Sequence, residues 1–201
     1  WPAHVHVFDG RGGANGRRKL AGAGIWIHGV SFRDAHAPDS LLPKFGAPEP
    51  GAVNIGMLHT SLAGDAGHDV YAPCTQAQLA AHGFDYWALG HIHRRQVHSQ
   101  NPWIVMPGCP QGRDIGEDGP RSATLLHITD GAVAIEEVPT AILEFRRLDC
   151  DLTGAADDED IRRRLRAALT QAKTGIPCGQ AILRLRLTGA TPRAWALRRD
   201  P

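Results

Sequence analysis

Short apolar runs divide the chain into segments of strand length, separated by glycine, proline and polar residues. Continuous apolar runs at residues 53–58, 85–89 and 103–106 predict buried strands. Between the first two, the sequence TQAQ at residues 75–78 has the form of a capping box that starts a helix, and Gly83 is a natural end for that helix. Strand, helix and strand in this order predict an α/β layer.

Further segments with β-like patterns lie on both sides of this layer. Residues 4–8 and 24–30 predict two strands of a hairpin, joined by a glycine-rich basic turn. Downstream, residues 123–128 and 132–138 predict two strands that flank an Asp-Gly turn. The proline-rich stretch at residues 38–50 predicts a surface loop.

The pattern restarts near residue 143, which indicates a second domain. The predicted elements there are a strand, a helix and a strand, at residues 143–150, 157–173 and 180–187. Acidic residues fill the first turn of the helix, and Ile161, Leu165 and Leu169 recur along one of its faces. We therefore predict two domains, residues 1–145 and a small α+β domain at residues 146–201.

The composition narrows the class of protein. With 201 residues, 42% of them hydrophobic and 21% charged, the chain is typical of a globular protein rather than a disordered one. Its longest apolar or glycine run, residues 21–27, is far shorter than the roughly 20 residues of a membrane-spanning helix, so no membrane partner is expected. The chain begins with Trp-Pro and shows no signal-peptide pattern. Four widely spaced cysteines without a CxxC pair predict reduced thiols and a cytoplasmic protein.

The net charge of +1 conceals an uneven distribution. Residues 146–201 carry 12 Lys and Arg against 7 Asp and Glu, whereas residues 1–145 carry 10 against 14. A basic surface of this kind suits a phosphate backbone, and an ordinary solvated surface is the alternative interpretation.

Three histidines provide the main indication of chemistry. His59 follows the strand at residues 53–58, and His91 and His93 leave the next strand after Gly90. If the two strands are parallel neighbours, all three imidazoles meet at one edge of the sheet. Neutral imidazole binds Zn, Mn, Fe, Co and Ni ions, so the sequence predicts a metal site.

Two further residues are candidates for substrate binding. His68 lies in the loop that follows His59, within reach of a substrate at that edge. Arg113, together with backbone amides of the turn at residues 107–112, is placed to meet a phosphate group. An ordinary Pro-Gly turn is the alternative interpretation of that segment.

Four segments together resemble the C-terminal half of a calcineurin-like metallophosphoesterase, most similar to the bacterial SbcD-like and YhaO-like DNA repair exonucleases. They are LHT at 58–60, YAPC at 71–74, FDYWALGHIH at 84–93, and PG at 107–108 with QGR at 111–113. The last segment departs from close relatives at Cys109 and Asp114, where the family is expected to have a polar amide and a histidine. The resemblance spans most of residues 1–145 and implies part of a β-sandwich flanked by helices. Residues 146–201 resemble the small capping domain that contacts DNA in that family.

The resemblance also implies an activity, phosphodiester hydrolysis by two divalent metal ions of the Mn2+ type. His59 and His91 would hold one ion, and His93 its neighbour. The family motifs that supply the aspartate ligands and the general-acid histidine do not occur in this sequence. We therefore assign no catalytic residue and expect the chain to be inactive alone.

Partners and alternatives follow from the same resemblance. The expected partners are DNA, an SMC-like or AAA ATPase subunit and a second copy of the chain. One alternative is a small-molecule phosphodiesterase or phosphatase of the same superfamily, although a small substrate does not need a basic domain. Another is a non-catalytic module that binds nucleic acid or an ATPase.

Overall fold

The computed structural model describes residues 1–22, 24–34, 37–62 and 71–199, which form two compact units. The first unit comprises Trp1–Cys109 and Ala123–Val138, and the second comprises Pro110–Ser122 and Pro139–Pro201. Both units mix strands with a few helices, and the predicted α/β class is confirmed. The domain boundary at residues 145 and 146 stays a prediction.

A six-stranded sheet forms the centre of the first unit. Its strands are β1 (Arg17–Leu20), β2 (Ile25–Gly29), β3 (Val53–His59), β4 (Tyr86–Gly90), β5 (Gln96–Gln100) and β6 (Trp103–Met106), in the order β1-β2-β3-β4-β6-β5. The four central strands are parallel, and the two edge strands β1 and β5 are antiparallel to their neighbours. A separate hairpin consists of β7 (Ser122–Thr129) and β8 (Ala132–Pro139).

Helix α1 (Gln76–Ala81) connects β3 to β4 and begins as predicted. The backbone N–H of Gln78 donates to Thr75 Oγ1 at 3.1 Å, and the Thr75 N–H donates to Gln78 Oε1 at 2.8 Å. Gly83 follows with φ +87°, a conformation that favours glycine. Both ends of the helix are thus set by local sequence.

The core of the first unit lies on the face of the sheet that α1 covers. Leu79, Phe84 and Trp87 are nearly inaccessible to solvent there. The ring of Trp87 lies so close to Gly56 that a Cβ at residue 56 would be 2.4 Å from it. Strand β3 therefore needs glycine at this point, because any side chain would displace the indole.

The proposed strand at residues 4–8 is wrong. Those residues form no strand, and the hairpin partner of β2 is β1, which lies in the stretch predicted as a turn. Residues 4–7 are exposed, so their alternating pattern buries neither of its faces. Only Phe8 packs inward, against Gly29.

The surface loop predicted at residues 38–50 is also wrong in part. A short 3₁₀ turn at Leu42–Lys44 buries Leu41, Leu42 and Phe45. The Phe45 ring lies 5.2 Å from that of Trp87. The prolines exclude regular structure, but they do not prevent the apolar residues between them from joining the core.

The second unit contains β9 (Glu144–Asp151), α2 (Asp158–Lys173), β10 (Ala181–Thr188) and α3 (Ala194–Arg199). Strands β9 and β10 pair in parallel, and α2 packs against β9 around the buried Cys150, Leu152 and Ile161. Asp157 caps α2 by accepting from the Asp160 N–H at 2.8 Å. Among the described residues, no helix has the length and apolar character needed to cross a membrane.

Candidate metal centre

The parallel pairing of β3 and β4 places two of the predicted ligands side by side. Their register aligns His59 with Gly90, and the Thr60 N–H donates to the Gly90 carbonyl at 3.0 Å. The ring centroids of His59 and His91 lie 5.2 Å apart. The predicted metal site depends on β3 and β4 being parallel neighbours, and the structure shows this pairing.

The backbone after β4 turns sharply at His91, which has φ +128°. Ile92 then packs against the hydrophobic core, while His93 is exposed. Gly90 permits the close approach of the two strand ends, because a Cβ there would lie 3.2 Å from His59 Nδ1. The packing of Ile92 therefore fixes the segment GHIH, in which His91 and His93 are close enough to His59 to lower its pKa.

Electrostatics couple the three histidines. The pKa of His59 lies below its ordinary value, first because its ring is partly desolvated and then because His91 and His93 repel a positive charge there. The residue is exposed overall, but its ring packs edge-on against Phe32, with centroids 5.5 Å apart. A lowered pKa keeps a nitrogen lone pair of His59 available to a cation at neutral pH.

The donor set fits a divalent transition metal. Three imidazoles at one strand edge offer borderline nitrogen ligands, which suit Zn, Mn, Fe, Co and Ni ions. An apolar cavity of about 750 Å³ is lined by His59 and by residues that include Phe8, Phe32 and Pro107. Tyr71 adds an aromatic ring 5.6 Å from that of His91.

The two candidate substrate-binding residues are placed differently. His68 lies outside the described residues. Arg113 belongs to the second unit, where its Nη2 donates to Glu117 Oε1 at 2.8 Å and its backbone N–H donates to Glu117 Oε2 at 2.8 Å. A role for either residue in binding substrate stays a prediction.

The position of Cys109 beside His93 is a feature that the sequence did not predict. A ligand atom of this residue lies within 4.8 Å of one on His93. The signal was weak because β5, which brings the two together, has the mostly polar sequence QVHSQ and was not predicted as a strand. Only the pairing of β5 with β6 brings the turn that follows Met106 beside His93.

Comparison with known proteins links this chain to metallophosphoesterases. Residues 145–201 match the family described as "Metallophosphoesterase YhaO, middle domain". Over 204 residues the chain is 31% identical to the "Uncharacterized metallophosphoesterase YhaO" of Bacillus subtilis (strain 168). That alignment covers 98% of this chain and 48% of the relative, so the chain spans about half the length of the curated protein it matches.

Both findings show that this chain is similar to a YhaO-like metallophosphoesterase. The mixed α/β architecture, with a multi-stranded sheet and few helices, is consistent with a fold of the metallophosphoesterase type.

Proposed function

We propose that the chain is part of a metal-dependent phosphoesterase whose metal centre includes His59, His91 and His93. The observation that carries this proposal is the pairing of His59 and His91 at the carboxyl ends of β3 and β4, with ring centroids 5.2 Å apart and with His93 close enough to lower the pKa of His59. Similarity to a YhaO-like metallophosphoesterase supports phosphoester hydrolysis as the reaction.

In this proposal His59 and His91 hold one ion and His93 holds its neighbour. When bound, a pair of divalent ions, which we propose to be Mn2+, would supply an activated water and would neutralise the charge of the phosphate. The chain contributes the positions of the nitrogens. Gly90 lets the strand ends approach, and Ile92 fixes the segment that carries His91 and His93. Hard oxygen ligands also suit such a centre, and the three histidines are therefore only part of its ligand set.

DNA is the substrate that we favour, in an exonuclease of the DNA repair type. The support is one exposed side of α2 in the second unit, which carries Arg162, Arg163 and Arg166 together with a single acidic residue, Glu159. The Arg163 guanidinium is partly neutralised by the Asp160 carboxylate at 2.5 Å. Within the described part of the chain, Arg162 and Arg166 form no ion pair. Several exposed guanidinium groups on one helix suit the phosphates of a nucleic acid backbone, whereas binding of a small phosphate ester does not need them.

The test is metal-dependent hydrolysis by the full-length gene product. Wild type and His91→Ala are assayed with Mn2+ on bis(p-nitrophenyl) phosphate and on single- and double-stranded DNA. We expect the substitution to lower kcat/KM about 100-fold or more on every substrate, since even outer-shell partners of a metal contribute 10- to 100-fold.

His127→Ala is the matched control. His127 lies in the β7–β8 hairpin, where it contacts Glu136 at 2.9 Å. Its substitution should leave hydrolysis unchanged. Equal activity of wild type and His91→Ala would overturn the metal assignment. Hydrolysis of the small diester without cleavage of either DNA would favour a small-molecule phosphodiesterase.

A further inference from the structure

The β5–β6 pairing places Cys109 beside His93. The two strands are antiparallel, with Gln96 aligned with Met106. Residues that follow β6 therefore run back alongside the residues that precede β5. This register places the turn that contains Gly108 and Cys109 next to His93.

Close packing holds that turn in place. Gly108 has φ +78°, and a Cβ at this residue would lie 2.9 Å from the backbone nitrogen of Arg95 and 3.0 Å from the carbonyl oxygen of His93. No side chain fits there, so the turn lies directly on the backbone of residues 93–95. Cys109 Sγ donates to the same His93 carbonyl at 3.6 Å.

The distance between the two side chains is suitable for shared ligation. An imidazole nitrogen of His93 and Cys109 Sγ lie within 4.8 Å of each other. Tetrahedral coordination, with metal–nitrogen and metal–sulfur bonds of about 2.1 and 2.3 Å, places such atoms about 3.6 Å apart. That separation falls within the 4.8 Å bound. His93 is exposed and Cys109 is half-buried, so an ion can reach both.

We infer that Cys109 is an additional ligand of the metal centre, beside His93. The inference rests on the proposed function, since it requires an ion at the histidine cluster. On ligation the thiol proton passes to solvent and the sulfur binds as thiolate. A thiolate is a soft ligand, so its presence favours Zn2+ and Co2+ over the harder Mn2+. Cys109 would then influence which metal the centre selects.

Co2+ spectroscopy tests the inference without reference to activity. The reduced, metal-free full-length protein is titrated with Co2+, and two signals are followed. Visible d–d bands stronger than those of aqueous Co2+ report ligation by protein donors, and a near-ultraviolet charge-transfer band reports a thiolate bound to Co2+. We expect both signals in wild type, and we expect Cys109→Ser to lose the charge-transfer band while it keeps the d–d bands.

Cys178→Ser is the matched control. Cys178 is a half-buried thiol of the second unit and donates to the Gln180 carbonyl at 3.2 Å. Its substitution should leave both signals intact. In competition with Zn2+, Cys109→Ser should bind that ion about 10-fold or more weakly than wild type, with a smaller change for Mn2+.

The outcomes separate the inference from the proposed function. Visible d–d bands in wild type without a charge-transfer band would overturn the role of Cys109 and leave the histidine centre standing. A charge-transfer band that persists in Cys109→Ser would also overturn it. Absence of any Co2+ signal in wild type would contradict the proposed metal centre itself. Cys109→Ala, with a thermal unfolding curve for each variant, shows whether a lost signal reflects a lost ligand or a lost fold.

Discussion

In the second unit acidic and basic side chains meet in pairs, whereas at the candidate site of the first unit the rings of His59 and His91 lie beside each other, 5.2 Å apart. Arg186 lies 2.5 Å from Asp149, Arg193 lies 2.9 Å from Asp158, and Arg146 lies 2.8 Å from Glu144. The charged neighbours that affect the pKa of His59 are instead two further imidazoles.

Paired charges stabilise the fold, whereas clustered imidazoles indicate a site that binds a ligand. Paired charges neutralise each other and need nothing further. Clustered imidazoles repel one another when protonated, and a bound cation makes their proximity favourable because it uses their lone pairs. A group of like titratable side chains is therefore the better indication of a site, and the abundance of arginine in the second unit overstates its available positive charge.

The largest effect expected from breaking a pair is at Glu144. Its side chain is almost fully buried at the start of β9, and Arg146 neutralises it. Arg146→Ala leaves that carboxylate uncompensated, and we expect a loss of about 3–5 kcal/mol in the free energy of unfolding. Urea unfolding followed by circular dichroism measures it. Arg147→Ala, at the exposed neighbouring position, is the control, and an equal loss in both would contradict the special role of the buried pair.

The next effect is on metal affinity. His59→Ala removes one of the clustered imidazoles, and we expect Mn2+ and Zn2+ to bind about 100-fold more weakly. Calorimetric titration of the full-length protein measures the change, with His127→Ala as control. In wild type, affinity should fall in acidic solution, because protons then compete with the ion for the imidazole nitrogen of His59, whose pKa lies below its ordinary value. Unchanged affinity in His59→Ala would remove this residue from the centre.

A third prediction concerns His28, a histidine with a purely structural environment. Its side chain is 1% exposed, lies 4.3 Å from the Phe84 ring by centroids, and donates through Nε2–H to Asn54 Oδ1 at 3.0 Å. Burial lowers its pKa below the ordinary 6.5. The unfolded chain then binds a proton at a higher pH than the folded one, so stability is full above pH 6.5 and declines as the pH falls toward the folded pKa.

His28→Gln keeps an N–H donor toward Asn54 but does not titrate. Chemical denaturation at pH 7.5 and pH 5.0 should therefore show a smaller loss of stability on acidification for this variant than for wild type. His127→Gln controls for the substitution itself. An identical pH dependence in wild type and His28→Gln would show that other groups control acid sensitivity.

The smallest effect is expected at the exposed pair of Arg186 and Asp149. Exposed ion pairs contribute little to stability, so Asp149→Asn should leave the unfolding transition unchanged. If the second unit binds DNA as proposed, Arg186 becomes available to a phosphate. The slope of log affinity against log salt should then steepen by about 0.9, as measured by fluorescence anisotropy. An unchanged slope would place Arg186 outside the DNA contact.

Sequence patterns were sufficient where local rules decide the structure. The continuous apolar runs of β3 and β4, the capping box at Thr75 and the acidic first turn of α2 each specify an element without help from distant residues. The adjacency of His59 and His91 follows from two such strands joined by one helix. These features include the part of the fold that positions the candidate ligands.

Elements that depend on pairing or packing with another segment were not predictable in this way. Strand β5 is mostly polar and exists because β6 pairs with it, and the location of Cys109 depends on that pairing. Phe45 is buried because Trp87, 42 positions later, provides an aromatic surface. Residues 4–8 show the converse, since an alternating pattern without an adjacent strand remains irregular.

The backbone at His91 places two opposing demands on one residue. A backbone φ of +128° is strained for any L-amino acid with a side chain, and glycine at this position would remove roughly 1–3 kcal/mol of strain. Glycine, however, has no nitrogen to offer an ion. His91 therefore lowers the stability of the fold. Its presence at the end of β4 is explained by the ligand nitrogen that it offers and not by a contribution to stability.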